Sequence, residues 1–482
     1  IPHRWNRIAV EGRTADSKRL AVVDQRVQLS HIVLDDVIGL AICIRFCLQN
    51  TFLNLLCQLG GVAVSRGVEN RNQLSACRLL CRPRLIACQN LLHSAFFGQN
   101  RTVAGADVVR LLRQGFDAVY GRTVRWLSAR EKPLADPKLH ELLNTNLFFA
   151  FFYASGRTVD TEELCLMTSR SPRYYVSAAY WDRDSLLWAF PAILTVDAAY
   201  AREILTYVFT RQARNFGVHS RFIDGTMLEP GFELDELCAP VIALDRYVEK
   251  TGDTAFAARP FVRDGLEEIL RRMEAKKHPS VPMYETFLQP TDDMHNHIYL
   301  TYDNALVCYA LRALAKLLNR PELAEEAERT RRAVYEHCVK EQNGRPFFAW
   351  SVDLNGHFDI YDEPPGSLLL LPFYGFCEES DPIWQNTAAM IRDESYPLSF
   401  AGHPIAEIGC KHAPHPWILS ICNSLLSGHA DSALLHLSRT PLDNGVACES
   451  VNEDTGLCET GEAFATCAGF LSYALYCACC KD

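Results

Sequence analysis

The sequence predicts an all-α fold, an (α/α)6 toroid of paired helices, on three observations. From Arg101 onward, apolar residues recur at three- and four-residue spacing, the period of an amphipathic helix. About a dozen such stretches follow one another across residues 101–482, broken by short polar loops. No sustained alternation of apolar and polar residues competes as a train of strands. Helices of this kind bury their apolar stripe against other helices, and a long succession joined by short loops packs as hairpin pairs arranged in a ring.

In chain order, the spacing predicts helices over Val103–Tyr120, Lys138–Tyr153, Ser185–Val196, Ala199–Asn215, Glu233–Thr251, Val262–Lys276, Tyr302–Leu318 and Ala324–Lys340. Four more follow Pro365, around Ser367–Tyr374, Pro382–Arg392, Pro416–Ser427 and Ala463–Cys477. Such a ring gathers its loops at one end, so function is expected in loops that carry polar clusters. Residues 1–100 read differently. They hold 12 of the 48 Lys and Arg residues but only 6 of the 58 Asp and Glu residues, and their apolar runs, such as Ala41–Cys47, lack a clear period. They form an N-terminal segment of unknown fold, either an accessory domain or sequence that is not native coding sequence, ahead of a catalytic domain over 101–482.

A formal net charge of -10 argues against a nucleic-acid binder, which would show a basic face to neutralise phosphates. The 19 cysteines are scattered and include the neighbours Cys479 and Cys480, so they read as mostly buried free thiols rather than a disulfide framework. Neither Cys77 with Cys81 nor Cys477 with Cys479 has a second ligand pair to complete a zinc site, and no cofactor is expected. The longest apolar stretch, Val37–Val64, is interrupted by Arg45, Gln49, Asn50, Asn54 and Gln58, which makes it a poor membrane span. No secretory leader pattern opens the chain, so a cytoplasmic location is the expectation, with no membrane partner and the oligomeric state open.

Four polar clusters carry candidate chemistry. In Tyr180–Ser185, Trp181 offers a ring on which a sugar can stack, while Arg183 and Asp184 can hold hydroxyls; helix capping is the competing reading. In the second, Glu233, Asp235 and Glu236 open an apolar helix, where the helix dipole favours acidic residues in any case. The third holds the adjacent carboxylates Asp292 and Asp293. Two close carboxylates raise one another's pKa, which keeps a proton available for a general acid. His295 and His297 follow in a loop, as weak metal-ligand candidates. The fourth holds Glu449 among small residues before the last apolar helix. A glycosidase needs one carboxylic acid to protonate the leaving oxygen and one carboxylate to activate water or attack the sugar, and Asp292 or Asp293 with Glu449 would supply them. Asp362, ahead of a Leu run, and Glu407, His412 and Trp417 complete the set of sugar-binding residue types.

In this order and spacing, the clusters resemble glycoside hydrolase family 125, the metal-independent exo-α-1,6-mannosidases. The blocks that carry the resemblance are Tyr180–Ser185, Phe232–Cys238, Pro290–Asp293, Gly366–Gly375, Phe400–His412 and Cys448–Ser450, so it runs from about Tyr180 to Tyr476. It implies an acid within Asp292-Asp293, the base at Glu449, and sugar-holding roles for Arg183, Asp184, Asp235, Asp362, Glu407 and His412. It also implies inversion and mannose. Four positions depart from the family's pattern: Glu236 for Ser, Cys448 for His, Gly461 for Arg and Ala463 for Trp.

The function expected is removal of a terminal α-linked mannose, α-1,6 first, from an oligosaccharide or glycan. Asp292 or Asp293 protonates the glycosidic oxygen, and Glu449 deprotonates a water on the opposite face. Inversion implies carboxyl groups roughly 6.5–9.5 Å apart, retention about 5–5.5 Å. A glycosidase or phosphorylase of another toroid family acting on α-glucosides, or an inactive carbohydrate-binding relative, are the alternatives.

Overall fold

The computed structural model describes residues 109–158, 161–176 and 178–480, so the reading of residues 1–100 lies outside the described residues. The chain divides into two compact units, Ile1–Ser128 and Ala129–Asp482. In the first, helix α1 (Phe116–Ser128) buries Val119 and Leu127. The continuous helix predicted to Tyr120 is interrupted at Gly115, whose φ of 77° lies in the left-handed region that ends helical runs.

The second unit is built mainly of helices, joined by loops and short strands. Helix α2 (Pro137–Phe149) begins with Pro137 in its first turn and with Asp136 accepting from the backbone of Lys138 and Leu139, the sequence signature of a helix start. It runs into a π-helical turn, Ala150–Ala154. A second π-helical segment, Arg183–Ala189, feeds α3 (Phe190–Val196), and α4 (Ala198–Thr210) is capped by Asp197. Then come α5 (Leu234–Thr251), α6 (Pro260–Glu274), α7 (Thr301–Leu318) and α8 (Glu322–Cys338). Left-handed Gly252 and Asn319 terminate α5 and α7. The last four are α9 (Pro382–Ile391), α10 (Ile418–Leu426), α11 (Ala430–Ser438) and α12 (Ala465–Cys479).

Neighbours in sequence pack as pairs: α4 on α5, α7 on α8, α10 on α11. The final helix α12 packs on α2, so the end of this unit closes against its beginning. Helix α12 is buried on nearly every side from Ala465 to Leu475, as expected of an inner helix with apolar residues all round. Gly469 makes its closest crossing possible: a Cβ there would lie 2.8 Å from Ala189 Cα. That contact fixes the π-helical segment that begins with Arg183.

Short hairpins that the helical period did not predict join the helices, and one of them takes the last two residues, Val339 and Lys340, of a predicted helix. Strands β1 (Val218–Arg221) and β2 (Met227–Phe232) pair antiparallel, with Arg221 opposite Met227 and Val218 opposite Phe232. β3 (Val339–Gln342) and β4 (Arg345–Phe348) turn over Asn343-Gly344, both with positive φ, the two-residue turn that matches strand twist. β5 (Ser450–Val451) pairs with β6 (Cys458–Thr460). The helix predicted over Ser367–Tyr374 is a 3-10 turn, Leu368–Leu370, and α11 had no predicted counterpart. Among the described residues the cysteines are free thiols, most of them buried, and no helix is long and apolar enough to cross a membrane.

Candidate active site

The site is built around Arg183, the first residue of the π-helical segment, which is only 1% exposed. The acidic start of α5 faces it. Glu236 accepts from the backbone N–H of Arg183 at 3.0 Å and also from that of Asp182, so its carboxylate satisfies donors that a helical start leaves open. The Arg183 guanidinium donates through Nη1 to Glu233 at 2.8 Å and Asp235 at 2.9 Å, and through Nη2 to Asp292. A second buried guanidinium, Arg221 on β1, pairs with Asp182 and lies over the Tyr180 ring. Burying this many carboxylates is sustainable because two fixed cations share them.

Asp292 reaches Arg183 from a strained turn. Its φ is 66°, a left-handed conformation that Asp tolerates better than most residues. The turn is pinned from behind: Thr291 donates to Glu363 from both its backbone N–H and its hydroxyl, each at 2.8 Å. Gly366 leaves room for Pro290, whose Cγ would lie 2.4 Å from any Cβ at that position. Asp292 keeps 38% of its side chain open, yet protein atoms enclose the carboxyl enough to disfavour its charge. Enclosure outweighs the pull of Arg183, and with the negative charge of Glu233 it pushes the Asp292 pKa up to about 8, against the further pull of His219.

His219 on β1 completes this half of the site. Its Nδ1 lies 2.7 Å from Glu233 Oε1 and 3.6 Å from Asp292. Burial pulls its pKa down, but the hydrogen bond to Glu233 and the charges of Glu233 and Asp292 prevail and raise it to about 9. His219, Glu233 and Asp292 have ligand atoms within 4.8 Å of one another, a trio of metal-ligand type. Arg183 already holds Glu233 and Asp292 there, so a metal cation would meet a fixed positive charge.

Glu449 forms the other half and is 4% exposed. Its backbone N–H is shared between the carbonyls of Thr460 at 3.2 Å and Gly461 at 3.1 Å, which ties it to β6. Its carboxylate accepts from the Tyr175 hydroxyl at 2.8 Å. Burial raises the Glu449 pKa, and the hydrogen bonds from Tyr175 and Thr460 oppose that rise. The Tyr175 phenol is in turn raised by its enclosure and by the charges of both Glu449 and Asp292, so one hydroxyl lies in the fields of the two carboxylates.

The other residues singled out in the sequence fall into three groups. Asp235 joins the Arg183 cluster; Asp184 accepts from Thr466 at 3.1 Å, with burial raising its pKa to about 7. Trp181 is 6% exposed and meets His219 edge-on at 5.8 Å, inside the cluster rather than on an open face. Asp293 turns away from Arg183 to His412, 3.5 Å distant, with both side chains open; His412 stands beside Trp417 and its charge acts on Glu449. Asp362 and Glu407, by contrast, are fully enclosed. Asp362 accepts from Ser367 Oγ and Leu368 N at 2.7 Å, and Glu407 is bonded by Ser420, Ser424 and His436, so both order loops. His295 closes its loop on the His297 carbonyl at 2.6 Å.

Sequence reasoning missed Tyr175, His219 and Glu363. The acidic run at Glu229–Glu236 pointed toward Glu233, but nothing local marks a tyrosine whose partner lies 274 residues away.

Residues 280–472 match the model of one family, Metal-independent alpha-mannosidase (GH125). The resemblance is to glycoside hydrolase family 125. That segment contains both Asp292 and Glu449, while the Arg183 cluster lies ahead of it. A curated relative, the Meiotically up-regulated gene 157 protein of Schizosaccharomyces pombe (strain 972 / ATCC 24843), is 27% identical over 161 residues, which is 31% of this chain and 32% of that protein. The chain thus matches about a third of its length. Among solved structures, a Streptococcus pneumoniae protein from a study of metal-independent alpha mannosidases, in a non-productive complex with alpha-1,6-mannobiose, superposes with a TM-score of 0.63 at 18% identity. It covers 74% of this chain and 99% of that one. A bacterial glucoamylase complexed with acarbose superposes with a TM-score of 0.59 at 15% identity, covering 79% of this chain and 61% of that one. The fold is that of the (α/α)6 glycosidases.

Proposed function

We propose that this chain is a glycoside hydrolase, an exo-acting, inverting α-mannosidase that removes terminal α-linked mannose, α-1,6-linked first, from an oligosaccharide or glycan. Asp292 is the general acid and Glu449 the general base. The observation that carries the reading is the contrast between the two carboxyls. Asp292, with a pKa near 8, keeps its proton at neutral pH and opens to the site. Glu449 is held by hydrogen bonds that favour its charged form. Asp292 rather than Asp293 is the acid because Asp292 alone of the two lies in the Arg183–Glu233–His219 cluster.

In the step envisaged, Asp292 delivers its proton to the glycosidic oxygen as the bond to the anomeric carbon breaks. Glu449 takes a proton from the water that adds to the opposite face. Arg183 then balances the charge left on Asp292. The test is hydrolysis of α-1,6-mannobiose by the parent, Asp292→Asn and Glu449→Gln. Each substitution should lower kcat about 100-fold or more. Either variant within tenfold of the parent would remove that residue from its role.

A further inference from the structure

We infer that Tyr175 is the positioning residue of the general base, holding the Glu449 carboxylate in one orientation and in its charged form while the sugar comes and goes. This rests on the reading of Glu449 as the base. The Tyr175 hydroxyl donates to Glu449 Oε1 at 2.8 Å, a charge-assisted bond when Glu449 is ionised. The ring is anchored from the core outward: Tyr175 lies against Tyr174 at 4.8 Å, Tyr174 stacks on Phe464 at 4.5 Å, and Phe464 meets Trp188 edge-on at 6.0 Å. An aromatic column of this kind fixes the phenol without spending flexible side-chain freedom. Yet Tyr175 itself is 61% exposed, so the hydroxyl stands where the core meets the open site.

The titratable groups that act on Glu449 or feel its charge are Tyr174, Tyr175, His412, Cys410 and Cys467. Enclosure of the titrating atoms pushes the two phenols and two thiols up, for Tyr175 at its hydroxyl although the ring is exposed, and this keeps them neutral at working pH. Tyr175 and Thr460 hydrogen-bond the carboxylate, and of these two only Tyr175 comes from outside the Glu449 hairpin.

The experiment is Tyr175→Phe, which keeps the aromatic column and deletes the donor. On α-1,6-mannobiose, kcat should fall roughly tenfold to a hundredfold, the fold-change of one hydrogen bond to a charged group, with KM within threefold. The acidic limb of the kcat/KM profile should move to higher pH, because the charged form of Glu449 loses its donor. A purely structural role would lower Tm and leave that limb in place, which would overturn the inference. Carbon NMR of the protein labelled at glutamate carboxyls, with Glu449→Gln to identify the resonance, reads the same titration without turnover. An unchanged midpoint in Tyr175→Phe also overturns the inference. Full activity of Glu449→Gln would instead count against the base assignment on which it rests.

Discussion

Gly461 sits directly against the proposed base, and replacing it with alanine perturbs Glu449 without adding or removing a polar group. Its φ is 63°, and an added Cβ would lie 2.5 Å from Glu449 Cβ, 2.9 Å from Glu449 Oε2 and 3.3 Å from Tyr174 Cε2. Carbon atoms pack at about 3.5–4.0 Å, so Glu449 must withdraw by about 1 Å. It has no free route, because its side chain is buried and its backbone N–H is bonded to Thr460 and Gly461. A displacement of about 1 Å in a reacting group costs on the order of 100-fold in rate. The left-handed backbone adds about 1–2 kcal/mol of strain for a residue with a Cβ. Gly461→Ala should therefore lose about 100-fold in kcat on α-1,6-mannobiose, with a modest change in KM and a lowered Tm. Initial rates across a substrate series and a thermal melt measure both effects. A kcat within threefold of the parent, with an unchanged Tm, would refute the placement of Glu449 as the base held by this contact.

The pH dependence of kcat/KM should be bell-shaped. Activity needs Glu449 charged, so it falls on the acid side around a carboxylate pKa raised above its usual value. It also needs Asp292 protonated, so it falls again as pH rises through about 8. A profile still rising at pH 9 would contradict the acid assignment. Arg183→Met would leave Glu233, Asp235 and Asp292 without their shared cation, costing about 3–5 kcal/mol of stability by the usual penalty for breaking a buried ion pair. Chemical denaturation measures this, and a loss below 1 kcal/mol would mean that the cluster is held by other forces.

Most helices were legible because an apolar stripe repeats every three to four residues whatever surrounds it. Gly252 and Asn319 mark helix ends by backbone conformation that their residue types favour. Hairpins such as β1 and β2, which carry His219 and Arg221, were not legible, since strands this short offer no period to read. The four polar clusters drew attention to residues several of which the structure brings together, among them Arg183, Asp235 and Asp292, but a carboxylate beside glycine and proline reads the same whether it faces inward or outward. Asp362 bonds its own loop and Glu407 ties its loop to helices α10 and α11, whereas Asp292 and Glu449 present carboxyls at the site. The choice between Asp292 and Asp293 depends on a turn with positive φ that sends one toward Arg183 and the other toward His412. The packing of Glu363 and Gly366 behind that turn, which sets the two directions, is not visible in the local sequence.

Inversion in one step requires that a proton from Asp292 and a water activated by Glu449 act together on opposite faces of one sugar. Proton NMR of the parent enzyme with α-1,6-mannobiose, following the anomeric signals during early turnover, tests it most directly. β-Mannose should be released first, with α-mannose growing in afterwards by mutarotation. Release of α-mannose as the first product would mean retention and a covalent intermediate, and would contradict the account.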